Sequence, residues 1–284
     1  MSSFTAACIQ MTSTGDVRGN LDVATTLIRE AASAGADFIA TPEVTNMLEP
    51  NKAEARAKAQ FQENDVTLKS FRALAEETGT WILAGSLVVK KPDDERLANR
   101  SFLIRPDGGI AAQYDKIHMF DVELSTGESH KESRAYAPGN TAQIAETTWG
   151  TVGLSVCYDV RFAHLYQQLA LNGAKFLTVP AAFTATTGKA HWHVLLRARA
   201  IENGAFVIAP AQCGQHSEKR RTYGHSLIVD PWGEVLADGG EEPGFVTAKI
   251  DLEEVQKRRR QVPNLSNIVD FTLQTPEAVS DAAE

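Results

Sequence analysis

The stretch Gly35-Ala36-Asp37-Phe38-Ile39-Ala40-Thr41-Pro42 has a counterpart 138 residues further on, Gly173-Ala174-Lys175-Phe176-Leu177-Thr178-Val179-Pro180. Each copy runs from a glycine that stops a helix, through a short apolar strand, to a proline. Two more pairs share an offset of 125 residues, because 79–84 resembles 204–209 and 101–108 resembles 226–233. These matches predict two similar halves, each β-α-β-α-β-β, joined near residues 138–150 around one core. The alternative is chance, since glycine and proline punctuate every α/β chain.

Apolar runs alternate with amphipathic stretches along the whole chain, which is typical of an α/β protein whose strands are covered by helices. We expect a single domain over residues 1–270. Residues 271–284 are polar, acidic and poor in large apolar groups, so they are predicted to form a loose C-terminal tail.

Composition and charge exclude several classes of protein. Of the 284 residues, 43% are hydrophobic and 23% charged, which excludes a disordered or coiled-coil chain. The net charge of −8 disfavours a nucleic-acid partner. No apolar run approaches the roughly 18 residues of a membrane span, and no Lys or Arg precedes Arg18, so a cytoplasmic protein without a secretory signal is expected. Three widely spaced cysteines form neither a disulfide framework nor a CxxC motif.

Cys157 is the first candidate for chemistry. It follows the apolar run 152–156 and precedes a predicted helix, so its thiol would lie at the carboxyl edge of a sheet and near a helix N-terminus that favours thiolate. The alternative is core packing, since free cysteines are usually buried. Cys8 matches Cys157 at the end of the first strand of each half.

Glu43 is the second candidate, at the end of another buried strand. A partly desolvated carboxylate suits a general base, whereas the alternatives are a helix cap and a surface acid. Pro42-Glu43 matches Pro180-Ala181, so the second half lacks the acid. One half would then supply the acid and the other half the working thiol.

Other polar residues leave more than one interpretation. Lys116 is either a solvated charge or an electrophile that stabilises an oxyanion. Glu132 lies in the polar stretch 125–139, and spacing alone does not separate it from Glu128. His191 and His193 are two residues apart, so they point to opposite sides of a helix and form a poor metal pair. A pair of Cys157 with a histidine is an alternative, although no CGSCW-like signature surrounds Cys157.

Three segments together resemble the motifs of the nitrilase superfamily of carbon-nitrogen hydrolases. They are Pro42-Glu43, Tyr114-Asp115-Lys116-Ile117-His118 and Val156-Cys157-Tyr158-Asp159-Val160-Arg161-Phe162. The motifs occur in the order of that family, and the likeness extends over roughly residues 4–262. Residues 190–202 and 224–233 are similar to the Nit branch.

The resemblance implies a four-layer αββα sandwich of two pseudo-twofold related halves, which forms homodimers or larger homo-oligomers through its helices. It implies that Glu43 removes the thiol proton of Cys157, that the thiolate attacks an amide carbon, and that Lys116 and the backbone N–H of Tyr158 hold the oxyanion. Glu43 would protonate departing ammonia and activate a water that hydrolyses the thioester, while Glu132 orients Lys116 or the water. No metal or organic cofactor is implied.

The same resemblance bears on the substrate. Residues 211–226 look more like those of deaminated glutathione amidases than like those of omega-amidases that act on α-ketoglutaramate; hydrolysis of N-carbamoyl amines is a further alternative. Tyr158 stands where nitrilases typically have tryptophan, so a small amide is expected rather than a nitrile. Cations at 219–221 are expected to bind its carboxylates. The predicted substrate contacts are Phe183, His191, Arg220, Arg221 and Tyr223.

Two features depart from the pattern of the Nit branch, Lys189 before Ala-His-Trp and the loop 124–134, and both would alter the rim of the pocket. Two rival classes also remain open. One is a thiol hydrolase that uses Cys157 with a histidine, and the other is a non-catalytic interaction protein that uses the fold as a scaffold.

Overall fold

Two β-sheets pack face to face in this computed structural model, and helices cover the outer face of each sheet. The structure describes residues 3–123 and 129–275. Glu128 and the part of the predicted tail beyond residue 275 lie outside the described residues, as do the other residues of 124–128 in the loop 124–134. Residues 271–275, at the start of the predicted tail, are exposed.

The strands of the first half are β1 (Ser3–Gln10), β2 (Phe38–Ala40), β3 (Gln60–Phe61), β4 (Trp81–Lys91), β5 (Asp94–Ile104), β6 (Ile110–Asp115), β7 (Asp121–Glu123) and β8 (Ser129–Lys131). Those that follow are β9 (Gln143–Glu146), β10 (Thr151–Leu154), β11 (Phe176–Thr178), β12 (Phe206–Ala209), β13 (Cys213–Ser217), β14 (Arg220–Tyr223), β15 (Leu227–Val229), β16 (Val235–Asp238) and β17 (Gly244–Asp251). The α-helices are α1 (Val17–Ser33), α2 (Lys52–Lys58), α3 (Val66–Thr78), α4 (Ala163–Leu171), α5 (Ala185–Asn203) and α6 (Leu252–Gln261).

The strand orders of the two sheets reproduce the predicted repeat. In the first sheet β1, β2 and β4 are parallel, β5 and β6 continue antiparallel, and β17 closes the other edge beside β1. In the second sheet β10, β11 and β12 are parallel, β15 and β16 continue antiparallel, and β9 lies beside β10. The prediction of an αββα sandwich made of two similar halves is therefore confirmed.

Alternation along β1 shows how the layers are built. Ala6 and Cys8 belong to the core between the two sheets, whereas Ala7 and Ile9 pack with residues of α1 and α3 on the outer face. This is the two-residue period of a strand that is buried on both faces. Helices α4 and α5 cover the second sheet in the same way.

The helix ends also repeat. Helix α3 ends at Gly79 (φ 66°) and α5 ends at Gly204 (φ 51°), and both glycines adopt the left-handed conformation that residues with a Cβ avoid. The two stops are 125 residues apart, and each leads directly into a parallel strand, β4 or β12.

Cys8 is not the counterpart of Cys157, contrary to the match predicted from the sequence. In the strand pairing, Cys8 lies opposite Ala40 of β2, and Leu154 lies opposite Thr178 at the equivalent position of β11. Cys8 therefore corresponds to Leu154, three residues before Cys157. The prediction is wrong because β1 continues past Cys8 to Gln10, and every residue of the strand pairs with β17.

Candidate active site

Glu43 lies just beyond the carboxyl end of β2 and is only 4% exposed. Its Oε1 accepts hydrogen bonds from Lys116 Nζ (2.9 Å) and Asn99 Nδ2 (2.8 Å), and its Oε2 accepts one from the backbone N–H of Ala182 (2.8 Å). A buried carboxylate is stable only when it is paired and hydrogen-bonded, and each oxygen of Glu43 meets that requirement.

Lys116 follows β6 directly and is 2% exposed. Besides Glu43, its ammonium donates to both carboxylate oxygens of Glu132, at 2.9 and 2.8 Å. Glu132 begins a short 3₁₀ helix, and its Oε2 also accepts from the backbone N–H of Phe120 (2.6 Å). Two carboxylates thus hold the Lys116 ammonium in one position.

Cys157 opens the 3₁₀ helix Cys157–Arg161, three residues beyond the end of β10. Its φ of 50° is unusual for a residue with a side chain, and backbone strain of this kind is concentrated at functional sites. Its N–H donates to Pro180 O (2.8 Å), while its thiol interacts with Glu43 and with the backbone of Ala182. Tyr158 follows as the second residue of the 3₁₀ helix, where backbone N–H groups have no partner within the helix.

Burial and the opposing charges set the protonation of these groups. Burial alone would raise the pKa of Glu43, but the charge and hydrogen bond of Lys116 lower it below its ordinary value. Burial would lower the pKa of Lys116, but Glu132 and Glu43 raise it well above its usual range. Burial and the Glu43 charge raise the pKa of Cys157 well above 9, against the effect of Lys116.

These directions describe a neutral thiol beside an ionised carboxylate and a fixed ammonium. Such a thiol reacts when a base removes its proton as the sulfur attacks, and Glu43 is the base that contacts it. The charge that develops on an attacked carbonyl oxygen can be stabilised by Lys116 and by the backbone N–H of Tyr158 at the turn. The arrangement is therefore suited to nucleophilic displacement at a carbonyl carbon.

Asn99 and Ala182 also hold Glu43, and the sequence analysis did not identify them. Asn99 is buried within β5 and donates to Glu132 Oε1 (3.3 Å) as well as to Glu43. The signal for Asn99 was weak but present, because asparagine is depleted in strands. Ala182 acts through its backbone, so its residue type carries no signal.

Asp159 is a third residue that the sequence left without a role. It is fully buried, and its Oδ2 accepts from the Tyr114 hydroxyl (2.7 Å) and from the Val156 N–H (2.8 Å). Its Oδ1 accepts from the N–H of His118 (3.0 Å). Tyr114 and His118 flank Lys116 in the sequence, and Val156 precedes Cys157. Asp159 therefore links the segment that carries the ammonium to the segment that carries the thiol.

A cleft of about 880 Å³ opens above this cluster. Glu43, Lys116, Glu132 and Cys157 all line it. Two of the predicted substrate contacts, Phe183 and Arg220, line it too. The basic side chains along the wall are Lys52, Arg56, Arg96, Lys116, Lys131, Arg134, Lys219 and Arg220, whereas the acidic ones are Glu43, Glu49, Glu95 and Glu132. Among the described residues, the cleft is therefore cationic although the chain as a whole is anionic.

The other three predicted substrate contacts are not among the described residues that line the cleft. The exposed His191 faces Arg161, whose guanidinium nitrogens lie 3.3 and 3.4 Å from its Nδ1. Arg221 is exposed and forms an ion pair with Glu241 (3.3 Å). Tyr223 stacks on the His225 ring, with 4.4 Å between the ring centroids.

Within the described ranges, one cluster has side chains close enough to hold a metal ion: His193, His225 and Asp238, with ligand atoms within 4.8 Å of one another. His193 is thus grouped with residues of other elements and not with His191. Asp238 already hydrogen-bonds both rings, at 2.8 Å to His225 and 3.1 Å to His193, so hydrogen bonding alone accounts for the cluster. None of the three residues lines the cleft.

An αββα sandwich with a buried thiol, carboxylate and ammonium at its sheet edge defines a thiol hydrolase. The sequence model of the carbon-nitrogen hydrolase family matches residues 5–260, and the chain belongs to that family. The resemblance inferred from the three motifs is therefore confirmed.

The chain is 41% identical to the deaminated glutathione amidase of Synechocystis over 279 residues, which is 95% of this chain and 99% of that protein. It is 41% identical to the deaminated glutathione amidase of Mus musculus over 261 residues, or 90% of this chain and 80% of that protein. The solved structure of the C. elegans NitFhit protein is 36% identical and superposes with a TM-score of 0.88, over 94% of this chain and 65% of that one. No helix in residues 3–123 or 129–275 is long and apolar enough to cross a membrane.

Proposed function

We propose that this carbon-nitrogen hydrolase is a thiol amidase that cleaves a small, carboxylate-bearing amide through a thioester on Cys157, with deaminated glutathione as the substrate. The observation that carries the proposal is the convergence of Cys157, Lys116 and Ala182 on the single carboxylate of Glu43. The names of the relatives from Synechocystis and mouse support the choice of substrate.

In the proposed mechanism, Glu43 accepts the thiol proton as the sulfur attacks the amide carbon. The raised pKa of Cys157 and the lowered pKa of Glu43 oppose proton transfer at rest, so the transfer accompanies attack. Lys116 and the Tyr158 N–H stabilise the oxyanion. Glu43 then returns the proton to the leaving amine, activates the water that hydrolyses the thioester, and restores the free thiol. Glu132 holds Lys116 in place through both of its oxygens.

The charge of the cleft supports an anionic substrate. Of the residues that the structure describes, eight basic and four acidic side chains line it, on a chain of net charge −8. Deaminated glutathione carries carboxylates at both ends of the molecule. A cationic cleft in an acidic protein raises the local concentration of such a substrate and opposes the general repulsion by the surface.

The test is a comparison of steady-state kcat/KM for deaminated glutathione, α-ketoglutaramate and an N-carbamoyl amine, with Cys157→Ala as the blank. We expect the highest value for deaminated glutathione and a transient acyl adduct on Cys157 by intact-mass spectrometry. A clear preference for α-ketoglutaramate would instead identify an omega-amidase, and a preference for the carbamoyl amine would identify an N-carbamoyl-amine amidohydrolase. No turnover of any amide, with no adduct on Cys157, would overturn the proposal.

The proposal extends to assembly and compartment. We infer that residues 1–270 act as one domain, supported by the core that both sheets share. Leu171, Val194, Ile201 and Trp232 are 46–67% exposed on α4, α5 and the turn after β15, so they favour pairing of two copies through these helices. All three cysteines are free thiols, which suits the reducing cytoplasm. Sedimentation velocity tests the dimer.

A further inference from the structure

Arg220 and Arg221 are neighbours in β14 with opposite surroundings. Successive residues of a strand point to opposite sides, so only one of the two can face the cleft. Arg220 lines the cleft, whereas Arg221 is exposed and pairs with Glu241. The two arginines among the cations predicted to bind substrate therefore divide into one that faces the cleft and one that faces away.

The guanidinium of Arg220 is held by the backbone beside the nucleophile. Its Nη2 donates to the carbonyl oxygen of Ala182 at 2.6 Å. The N–H of Ala182 in turn donates to Glu43, and its backbone interacts with the Cys157 thiol. The backbone of Ala182 thus contacts Arg220, Glu43 and the Cys157 thiol.

The second terminal nitrogen of Arg220 has no partner in the part of the chain that the structure describes. Nη1 is buried and makes no hydrogen bond to any described residue, and Arg220 forms no ion pair with one. A buried, charged donor without an acceptor is costly, and the cleft is the space from which an acceptor can come. A carboxylate is the acceptor that best matches a guanidinium nitrogen.

We propose that Arg220, and not Arg221, binds a carboxylate in the acyl half of the substrate, the half that becomes the thioester on Cys157. The proposal rests on the amidase function proposed above. The acyl half remains attached to the sulfur, so its carboxylate stays within a few bonds of Cys157 and within reach of a cation anchored on Ala182. The carboxylate of the leaving amine lies further along the substrate and departs with it.

A purely structural role for Arg220 makes a different prediction. If the arginine only supported Ala182, its loss would disturb Glu43 and reduce kcat for every amide alike. If Arg220 binds the acyl carboxylate, its loss raises KM selectively for amides that carry that group. The loss of one charge-assisted hydrogen bond corresponds to roughly a tenfold to hundredfold rise.

The experiment compares Arg220→Ala, Arg220→Lys and the neighbouring control Arg221→Ala on three amides. The first is α-ketoglutaramate, with a carboxylate in the acyl half only; the second is a short neutral amide; the third is a neutral acyl group on cysteinylglycine, with a carboxylate in the amine half only. We expect Arg220→Ala to raise KM about tenfold to a hundredfold for the first amide and about twofold or less for the others. Arg220→Lys should recover part of the loss, and Arg221→Ala should resemble the unmodified protein.

A binding measurement that needs no turnover separates this proposal from the proposed function. Glutarate is titrated by calorimetry into the Cys157→Ala protein, alone and combined with each arginine variant, after thermal unfolding has shown that each variant is folded. Weaker binding with Arg220→Ala, together with unchanged binding for Arg221→Ala, supports the proposal even if no amide is hydrolysed. Equal KM effects on all three amides, or unchanged glutarate affinity in Arg220→Ala, would overturn it while leaving the amidase function intact.

Discussion

The carboxyl ends of β2 and β11 have the same place in the two halves and opposite chemistry. After β2 the chain supplies a side chain, the buried carboxylate of Glu43. After β11 it supplies backbone: Pro180 accepts from the N–H of Cys157, and Ala182 donates to Glu43. The repeated scaffold therefore brings the ends of two strands together. Because Ala181 stands where the first half has Glu43, the molecule has one candidate active site where its symmetry would allow two.

Cys8 and Cys157, the two buried thiols that the sequence matched to each other, teach the same lesson. Cys8 lies inside β1, where its sulfur donates to the carbonyl oxygen of Leu227 (3.8 Å) and also interacts with the backbone of Ala209, and burial raises its pKa well above the ordinary value. Cys157 is also buried, although 7% of it is exposed, and it sits on a strained turn beside a carboxylate and an ammonium. Burial is common to both residues, so the turn and its charged partners distinguish the candidate nucleophile.

The largest expected effect separates these two cysteines. Cys157→Ala should lower kcat by about 10⁴-fold or more, because the covalent route is lost. Cys8→Ala should leave kcat within about twofold and lower the free energy of unfolding by about 1 kcal/mol, since a buried sulfur is removed. Steady-state kinetics and urea unfolding measure the two outcomes. Turnover through an adduct on Cys8 would contradict the assignment.

The next effect tests the acid that only the first half supplies. Glu43→Gln keeps the shape of the side chain but removes the base, so kcat should fall by roughly 10²–10⁴-fold. Single-turnover kinetics should show both formation and hydrolysis of the thioester slowed. Near-normal kcat in a folded Glu43→Gln protein, with a collapse on replacing one histidine, would instead identify a cysteine-histidine hydrolase.

Lys116→Met should have a somewhat smaller effect on the rate. Loss of one oxyanion donor costs about 10²–10³-fold in kcat. The substitution also leaves Glu43 and Glu132 buried without their cation, so the free energy of unfolding should fall by about 3–5 kcal/mol. Stability by chemical denaturation and kcat by initial rates separate the two consequences. A stable variant with unchanged kcat would remove Lys116 from the mechanism.

Much of this comparison was predictable from sequence because its signals are local. A glycine, a short apolar run and a proline mark each repeated strand, and they predicted two similar halves with the same order of elements. The segments around Glu43, Lys116 and Cys157 each carry a motif that is short enough to be recognised without the fold. The three side chains are brought together by strands that end at neighbouring edges.

The remaining features depend on long-range pairing. Cys8 was matched to Cys157 because the apolar run near it resembles a strand end, but pairing with β17 carries β1 on to Gln10. The division between Arg220 and Arg221 depends on which side of β14 faces the cleft. Ala182 contributes only backbone atoms, which every residue possesses.

The smallest expected effect is the pH dependence of activity near neutrality. It depends on the protonation states of Glu43 and Cys157. Glu43 must be ionised and Cys157 neutral in the free enzyme. The pKa of Glu43 is held below its ordinary 4.5, so the carboxylate is lost only when the pH falls below that value. The pKa of Cys157 is raised above its ordinary 9.0, so the thiol stays neutral until the pH rises beyond it.

The profile of kcat/KM, which reports groups of the free enzyme, should therefore be flat to within about twofold between pH 6 and pH 8. The measurement uses a neutral amide, so that ionisation of the substrate does not contribute, and Cys8→Ala serves as the control with an unchanged profile. If a preformed thiolate were the reacting species, the rate would rise tenfold per pH unit up to the pKa of Cys157. Such a rise would show that the sulfur reacts as a thiolate formed before attack. Glu43 would then not be the base that activates Cys157, and the carboxylate that the second half lacks would need another role.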